Sequence, residues 1–199
     1  MAMKNYIETL GELELKELLD NQLRIQVDSS WPHIEGFERG FDFAFSRLAI
    51  YSTPNREAVI AWARERLRDG GKFMVLDVDH GYICSWPHSD AWQRLFDAME
   101  EEMAPKGADR RIGHKLPHML LAAGFKDVKL DILTLYSSFE MEPEKFSRLF
   151  GSMSLLIHKV MPERFTKEDM DRFLAFIENA ASDKTATAFS PFLIASGVK

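Results

Sequence analysis

Two apolar runs dominate the chain: Phe41–Ile50 (Phe-Asp-Phe-Ala-Phe-Ser-Arg-Leu-Ala-Ile) and Lys72–Asp77 (Lys-Phe-Met-Val-Leu-Asp). Both are near-continuous rather than alternating, as in parallel strands covered on both faces. Between them, Thr53 and Pro54 read as the cap and first turn of a helix. Val59, Trp62, Ala63 and Leu67 give that helix one apolar face to about Arg68, where Asp69-Gly70-Gly71 reads as the turn that ends it. Upstream, Ile7, Leu10, Leu15, Leu18 and Leu19 give an amphipathic helix over residues 4–20, and Leu23–Val27 alternates as a short strand. Downstream, the pattern predicts helices over Asp90–Met103 and Gly113–Ala123, the second closed by Gly124 in a left-handed cap. A strand over Val128–Ser137 and helices over Pro143–Val160 and Thr166–Ala181 follow. The last strand, Thr185–Ser196, carries Pro191 in its middle, which predicts a bulge or an edge position. This order points to one α/β domain over residues 1–199 with a mostly parallel sheet.

Composition narrows the function. The chain has 199 residues, 46% hydrophobic and 28% charged, and a net charge of −6. Such a balance suits a globular domain and argues against nucleic acid or an anionic membrane as partner. One cysteine, Cys84, allows no internal disulfide and reads as a small buried hydrophobe in a reducing, cytoplasmic setting. No apolar run reaches the length of a membrane span, and Glu8, Glu12, Glu14 and Glu17 interrupt any secretory leader.

Candidate chemistry gathers after the two strong strands, because ligands of open α/β sheets lie beyond the strands' carboxyl ends. Asp79 and His80 read either as a general acid/base pair or as a turn cap beside a solvated histidine. Arg47 and Tyr51 would hold an acceptor's carboxylate or phenol-like group, or else pair and pack locally. Tyr82 and Trp86 follow in the same loop region. Met153 and Ile157 lie on an apolar helix that serves as a pocket cover, a core element or a dimer face. His114 and His118 share a helical face, but no third ligand is spaced to complete a metal site, so they read as rim histidines and no metal is expected.

Phe41–Thr53, Leu67–Asp77 and Leu116-Pro-His-Met-Leu-Leu-Ala-Ala-Gly-Phe125 together resemble class I S-adenosylmethionine-dependent methyltransferases. The resemblance covers about residues 23–199. It implies a truncated Rossmann-like sheet with a C-terminal antiparallel strand, and helical cover over 84–118 and 141–181 above a pocket for a small-molecule acceptor. The family's glycine-rich cofactor turn has no counterpart, since none of the eleven glycines is spaced Gly-x-Gly. By the same resemblance Asp28 falls on the adenine side of the cofactor, Ser46 and Arg47 on its floor, and Asp79 and His80 toward the acceptor.

Losing the first strands leaves Phe41, Phe43, Phe45 and Leu48 along a free sheet edge, an aggregation hazard unless covered. Leu23–Val27, a second copy or a partner chain would each cover it. Three functions follow: a methyltransferase-like enzyme whose S-adenosylmethionine site is remodelled or is completed by dimerisation or a partner, a cofactor-independent cyclase or isomerase working through residues such as His80 and Arg47, or a non-catalytic subunit or binding protein.

Overall fold

The computed structural model describes residues 39–138 and 143–199. The expected helix over 4–20, the strand Leu23–Val27 and Asp28 lie outside the described residues. In chain order the described elements are β1 (Phe41–Arg47), α1 (Arg56–Arg66), β2 (Leu67–Val78), β3 (Cys84–Trp86), α2 (Asp90–Met103), α3 (Leu116–Ala122), β4 (Lys126–Ser138), α4 (Pro143–Val160), α5 (Lys167–Ser182) and β5 (Thr187–Val198). Short 3-10 turns at Ile50–Ser52, His80–Tyr82 and Gly113–Lys115 punctuate them.

The fold is α/β, with five strands in a mixed sheet ordered β1-β2-β5-β3 and with β4 also paired to β5. β1 and β2 are parallel, from Phe43 opposite Lys72 to Arg47 opposite Leu76. β5 runs antiparallel to β2 (Lys72–Val198 to Val78–Phe192) and to β3 (Cys84–Phe189 to Trp86–Thr187). The sheet is therefore less parallel than the sequence pattern suggests, because its antiparallel last strand lies inside it and touches several neighbours. Pro191, expected at an edge or a bulge, lies inside β5, between the residues paired to β3 and those paired to β2.

The glycine pair also behaves differently from its expected role. α1 ends at Arg66, and Leu67 is already extended, at φ −73° and ψ 146°. That conformation sends the Leu67 side chain into the core, where it is 1% exposed. Phe41 pairs with Leu67 and Phe43 with Lys72, so residues 68–71 bulge out opposite Asp42. Gly70 takes φ +77° at the bulge. A Cβ on Gly71 would sit 2.9 Å from the Arg68 and Phe41 carbonyl oxygens, so only glycine lets the strands close again. At the other end of the same helix, the N-cap is Asn55 rather than Thr53, whose hydroxyl instead donates to the Ala49 carbonyl at 2.8 Å.

The described residues form two compact units. The first comprises the residues up to Gly81, Lys106–Thr134 and Pro191–Lys199. Here α1 and α3 pack on one face of β2, burying Val59, Ile60, Ala63, Phe73, Val75, Leu116 and Leu120. Alternation along β2 decides which side chains enter: Phe73, Val75 and Asp77 are buried, while Met74, Leu76 and Val78 are half-buried. α3 ends as the sequence predicts, with Gly124 at φ +86° and the Phe125 N–H donating to the Leu120 carbonyl.

The second unit comprises Tyr82–Pro105 and Leu135–Ser190. α2, α4 and α5, which fall in the segments expected as helical cover, share a core of Trp92, Leu95, Phe96, Ile157, Phe173 and Ile177. Trp92 stacks on Phe173 with ring centroids 5.9 Å apart. A capping box at Thr166 and Asp169 starts α5. Cys84, expected to be buried, is exposed, because β3 is a three-residue strand that turns alternate side chains outward. No described helix is long and apolar enough to cross a membrane.

Candidate active site

Within the first unit, the carboxyl ends of the parallel pair β1 and β2 collect a group of polar side chains. β2 ends in Asp77-Val78 and leads directly into Asp79-His80, and β1 runs into the turn holding Tyr51. Asp77 is fully buried and accepts from the Tyr51 N–H at 2.9 Å and the Val78 N–H at 3.0 Å. This bond pins the turn after β1 to the end of β2. Burial pushes the Asp77 carboxyl up to about 6, although those backbone donors and the Arg110 charge oppose the shift.

His80 is 5% exposed, which corrects the expectation of a solvated ring. Its N–H donates to the Arg110 carbonyl at 2.8 Å, and the Arg110 guanidinium lies 2.8 Å from its Nε2. A guanidinium only donates, so the facing imidazole nitrogen accepts and the ring is neutral. Burial, then the charges of Arg110 and Arg111, hold its pKa down at about 2. A ring held this far down is a poor proton carrier at neutral pH. Arg110 also lies over the Tyr51 ring, 4.9 Å from its centroid. Tyr51 is thus half-buried against a cation rather than open.

Asp79 is 1% exposed and accepts three hydrogen bonds: from the Gly81 N–H at 3.0 Å, from the His114 N–H at 3.0 Å, and from the His114 ring at Nδ1, 2.7 Å away. The His114 side chain is 47% exposed, so one edge of the ring is gripped and the rest faces outward. Gly113 makes this approach possible. A Cβ there would stand 3.0 Å from both the Asp79 Cβ and the Leu193 Cδ1, and would push the turn off the strand end. Asp109 braces the same loop: it accepts from the Arg111 N–H at 3.0 Å and from Lys115 Nζ at 2.7 Å, and it lies 3.9 Å from Arg56.

The structure therefore brings Tyr51, Asp79 and His80 together at one end of the sheet. Arg47 ends β1 there with an exposed side chain, and Ser46 is half-buried in register with Val75. Tyr82 and Trp86 are exposed residues of the second unit, at 54% and 64%. Met153 packs half-buried against that unit's helical core, and Ile157 lies inside it. Sequence reasoning missed Arg110 and the pairing of His114 with Asp79. The residues of that pair are 35 positions apart, and the only local sign was the run Arg110-Arg111…His114-Lys115.

Of the residues expected on the cofactor side, Asp28 lies outside the described residues, Ser46 is half-buried and Arg47 is exposed. Among the described residues no group of three His, Cys, Asp or Glu side chains could hold a metal ion. In the second unit, a groove of about 330 Å³ lies between α2 and α5 and is lined by Asp90, Arg94, Asp97, Asp169 and Arg172.

No protein-family model and no curated protein matches the chain. Solved structures do. Haemonchus contortus phosphoethanolamine N-methyltransferase 2, in complex with phosphomonomethylethanolamine and S-adenosylhomocysteine, is 17% identical with a TM-score of 0.40; the match covers 82% of this chain and 35% of that one. An S-adenosylmethionine-dependent methyltransferase from Thermotoga maritima is 16% identical with a TM-score of 0.44, covering 84% of this chain and 59% of its own. An arsenic(III) S-adenosylmethionine methyltransferase from Chlamydomonas reinhardtii is 13% identical with a TM-score of 0.39, covering 88% and 42%. The chain spans less than two thirds of the length of each of these three. Each of these three solved structures, to which the chain is similar, is a methyltransferase.

Proposed function

We propose that this chain is a methyltransferase-like protein that acts on a small molecule at the carboxyl ends of β1 and β2, and that its S-adenosylmethionine site is completed by a second copy. The ordered sequence motifs supply the family resemblance. The observation that carries the reading is the convergence of Tyr51, Asp77, Asp79, Arg110 and His114 at the strand ends, where α/β folds place their ligands. A second copy suits the exposed phenylalanines of β1, which ends the strand order among the described residues. Titrating S-adenosylmethionine into the purified full chain by calorimetry tests the reading. Saturable heat at micromolar ligand supports it, and a flat trace from folded protein rejects it.

A second reading, proton-transfer catalysis such as cyclisation or isomerisation with no cofactor, is favoured by the bond between Asp79 and His114, because such a pair moves protons unaided. It would run through His114 rather than through His80, which burial, and then the charges of Arg110 and Arg111, hold neutral.

A further inference from the structure

We propose that two copies of this chain pair along β1 in antiparallel register about Ala44, so that the partner's Phe41 lies beside Arg47 at the candidate site. This rests on the second-copy reading above and deepens it, by naming the contact and the side chain that the copy adds.

β1 reads Phe41-Asp-Phe-Ala-Phe-Ser-Arg47. It ends the strand order among the described residues, and its ladder runs to β2. Sheet edges are commonly blunted by lysine, proline or a bulge. β1 holds no lysine and no proline, and the bulge of the pair lies in β2. Alternation puts Phe41, Phe43 and Phe45 on one face, and all three are exposed. Ala44, from the alternate set, packs against the core beneath α1 and α3, so the phenylalanines face away from those helices.

A second copy suits this strand because its sequence is nearly symmetric about Ala44. Opposite side chains of an antiparallel pair share a face, so a regular two-fold pairing matches odd residues with odd and even with even. Two registers then match most of the phenylalanines. Centred on Ala44, Phe43 faces the partner's Phe45, and Arg47 faces the partner's Phe41. Aromatic pairs and an arginine over a ring are both favourable across strands. On the other face Asp42 meets the partner's Ser46, and the two small Ala44 side chains meet in the middle. Centred on Phe43, the ladder would set Arg39 opposite the partner's Arg47, a like-charge contact. Charge therefore selects the Ala44 register.

This register reaches the site. Arg47 stands at the carboxyl end of β1, in register with Leu76 and next to the strand end where Asp77 holds the Tyr51 turn. It is also the residue expected on the cofactor floor. The partner's Phe41 adds an aromatic face at that end, and two-fold symmetry gives both copies the same addition.

Cysteine cross-linking of the full chain tests the register. Cys84→Ser first removes the one native thiol. In that background Ala44→Cys should form a disulfide-linked dimer under mild oxidation, because directly opposite residues have Cβ atoms about 5 Å apart. Asp42→Cys and Ser46→Cys should each fail to join to themselves, since their two copies lie about 14 Å apart. Mixed, they should join each other roughly a hundredfold faster than either joins itself, because paired thiols meet at millimolar effective concentration. Neither residue is in the core, so the mixture decides even if Ala44→Cys disturbs folding. No cross-link in the mixture overturns the proposal, and so does self-joining of either variant at the mixture's rate. Neither readout uses S-adenosylmethionine. A flat calorimetric trace from a chain that cross-links as expected removes the cofactor reading and leaves the pairing standing; saturable heat from a chain that does not cross-link does the reverse.

Discussion

Asp77 and His80 are three residues apart and pull stability in opposite directions with pH. Asp77 has its carboxyl raised from 3.8 to about 6, so between those values the folded protein holds one proton more than the unfolded chain. The stability Asp77 contributes is therefore complete below about pH 4 and is lost as pH rises through 6. His80 is lowered from 6.5 to about 2, so the folded protein holds one proton fewer, and its stability is present above 6.5 and lost as pH falls. Between about pH 4 and 6 the two slopes cancel. Asp77→Asn removes one of them, so stability should then rise with pH across this window by about 1 kcal/mol per pH unit. His80→Gln should leave the opposite slope. Urea unfolding of the three proteins at a series of pH values checks this, and equal slopes in all three would contradict the burial argument. Asp79 and His80 were readable as candidates because they follow an obvious strand. Their burial was not readable, since it depends on Arg110 and Gly113, which reach them from a loop some thirty residues later.

At the scale of elements, the sequence shows where the strands and most helices lie, because apolar spacing reports burial directly. It misreads what happens between them. Asp69-Gly70-Gly71 has the composition of a helix-ending turn, yet the helix has already stopped at Arg66 and the glycines form a strand bulge. Composition alone cannot separate these cases, as both need glycine's freedom. Gly71→Ala distinguishes them. The bulge places backbone carbonyls 2.9 Å from the new Cβ, so the substitution should cost about 1–3 kcal/mol, in the range of an overpacked site. Chemical denaturation measures it, and wild-type stability would argue for an open turn. Pro191 follows the same lesson. It was expected at a bulge or an edge, yet it lies inside the continuous strand β5, between the residues paired to β3 and those paired to β2.

For the whole molecule, the exposed side of β1 carries the most consequence. Phe41, Phe43 and Phe45 are 44%, 51% and 50% exposed, and the Phe43 and Phe45 rings stack 6.4 Å apart. An apolar strand edge of this kind invites pairing with another chain, and two copies could meet there with the same residues on both sides. Sedimentation of the full chain should show a dimer at tens of micromolar concentration. Phe43→Lys with Phe45→Lys should make it a monomer while leaving its circular dichroism unchanged. A monomeric wild type would remove the second copy from the account. The apolar run holding Phe41, Phe43 and Phe45 was legible in the sequence, but what covers it was not, since pairing between chains leaves no local pattern.

The most direct test of the central claim is to titrate S-adenosylmethionine by calorimetry into the wild-type protein and into this double variant side by side. If paired copies complete the cofactor site, the wild type binds at micromolar concentration and the monomeric variant at least tenfold more weakly, a difference of about 1.4 kcal/mol or more. A flat trace from folded, dimeric wild-type protein, or equal binding by both proteins, would contradict it.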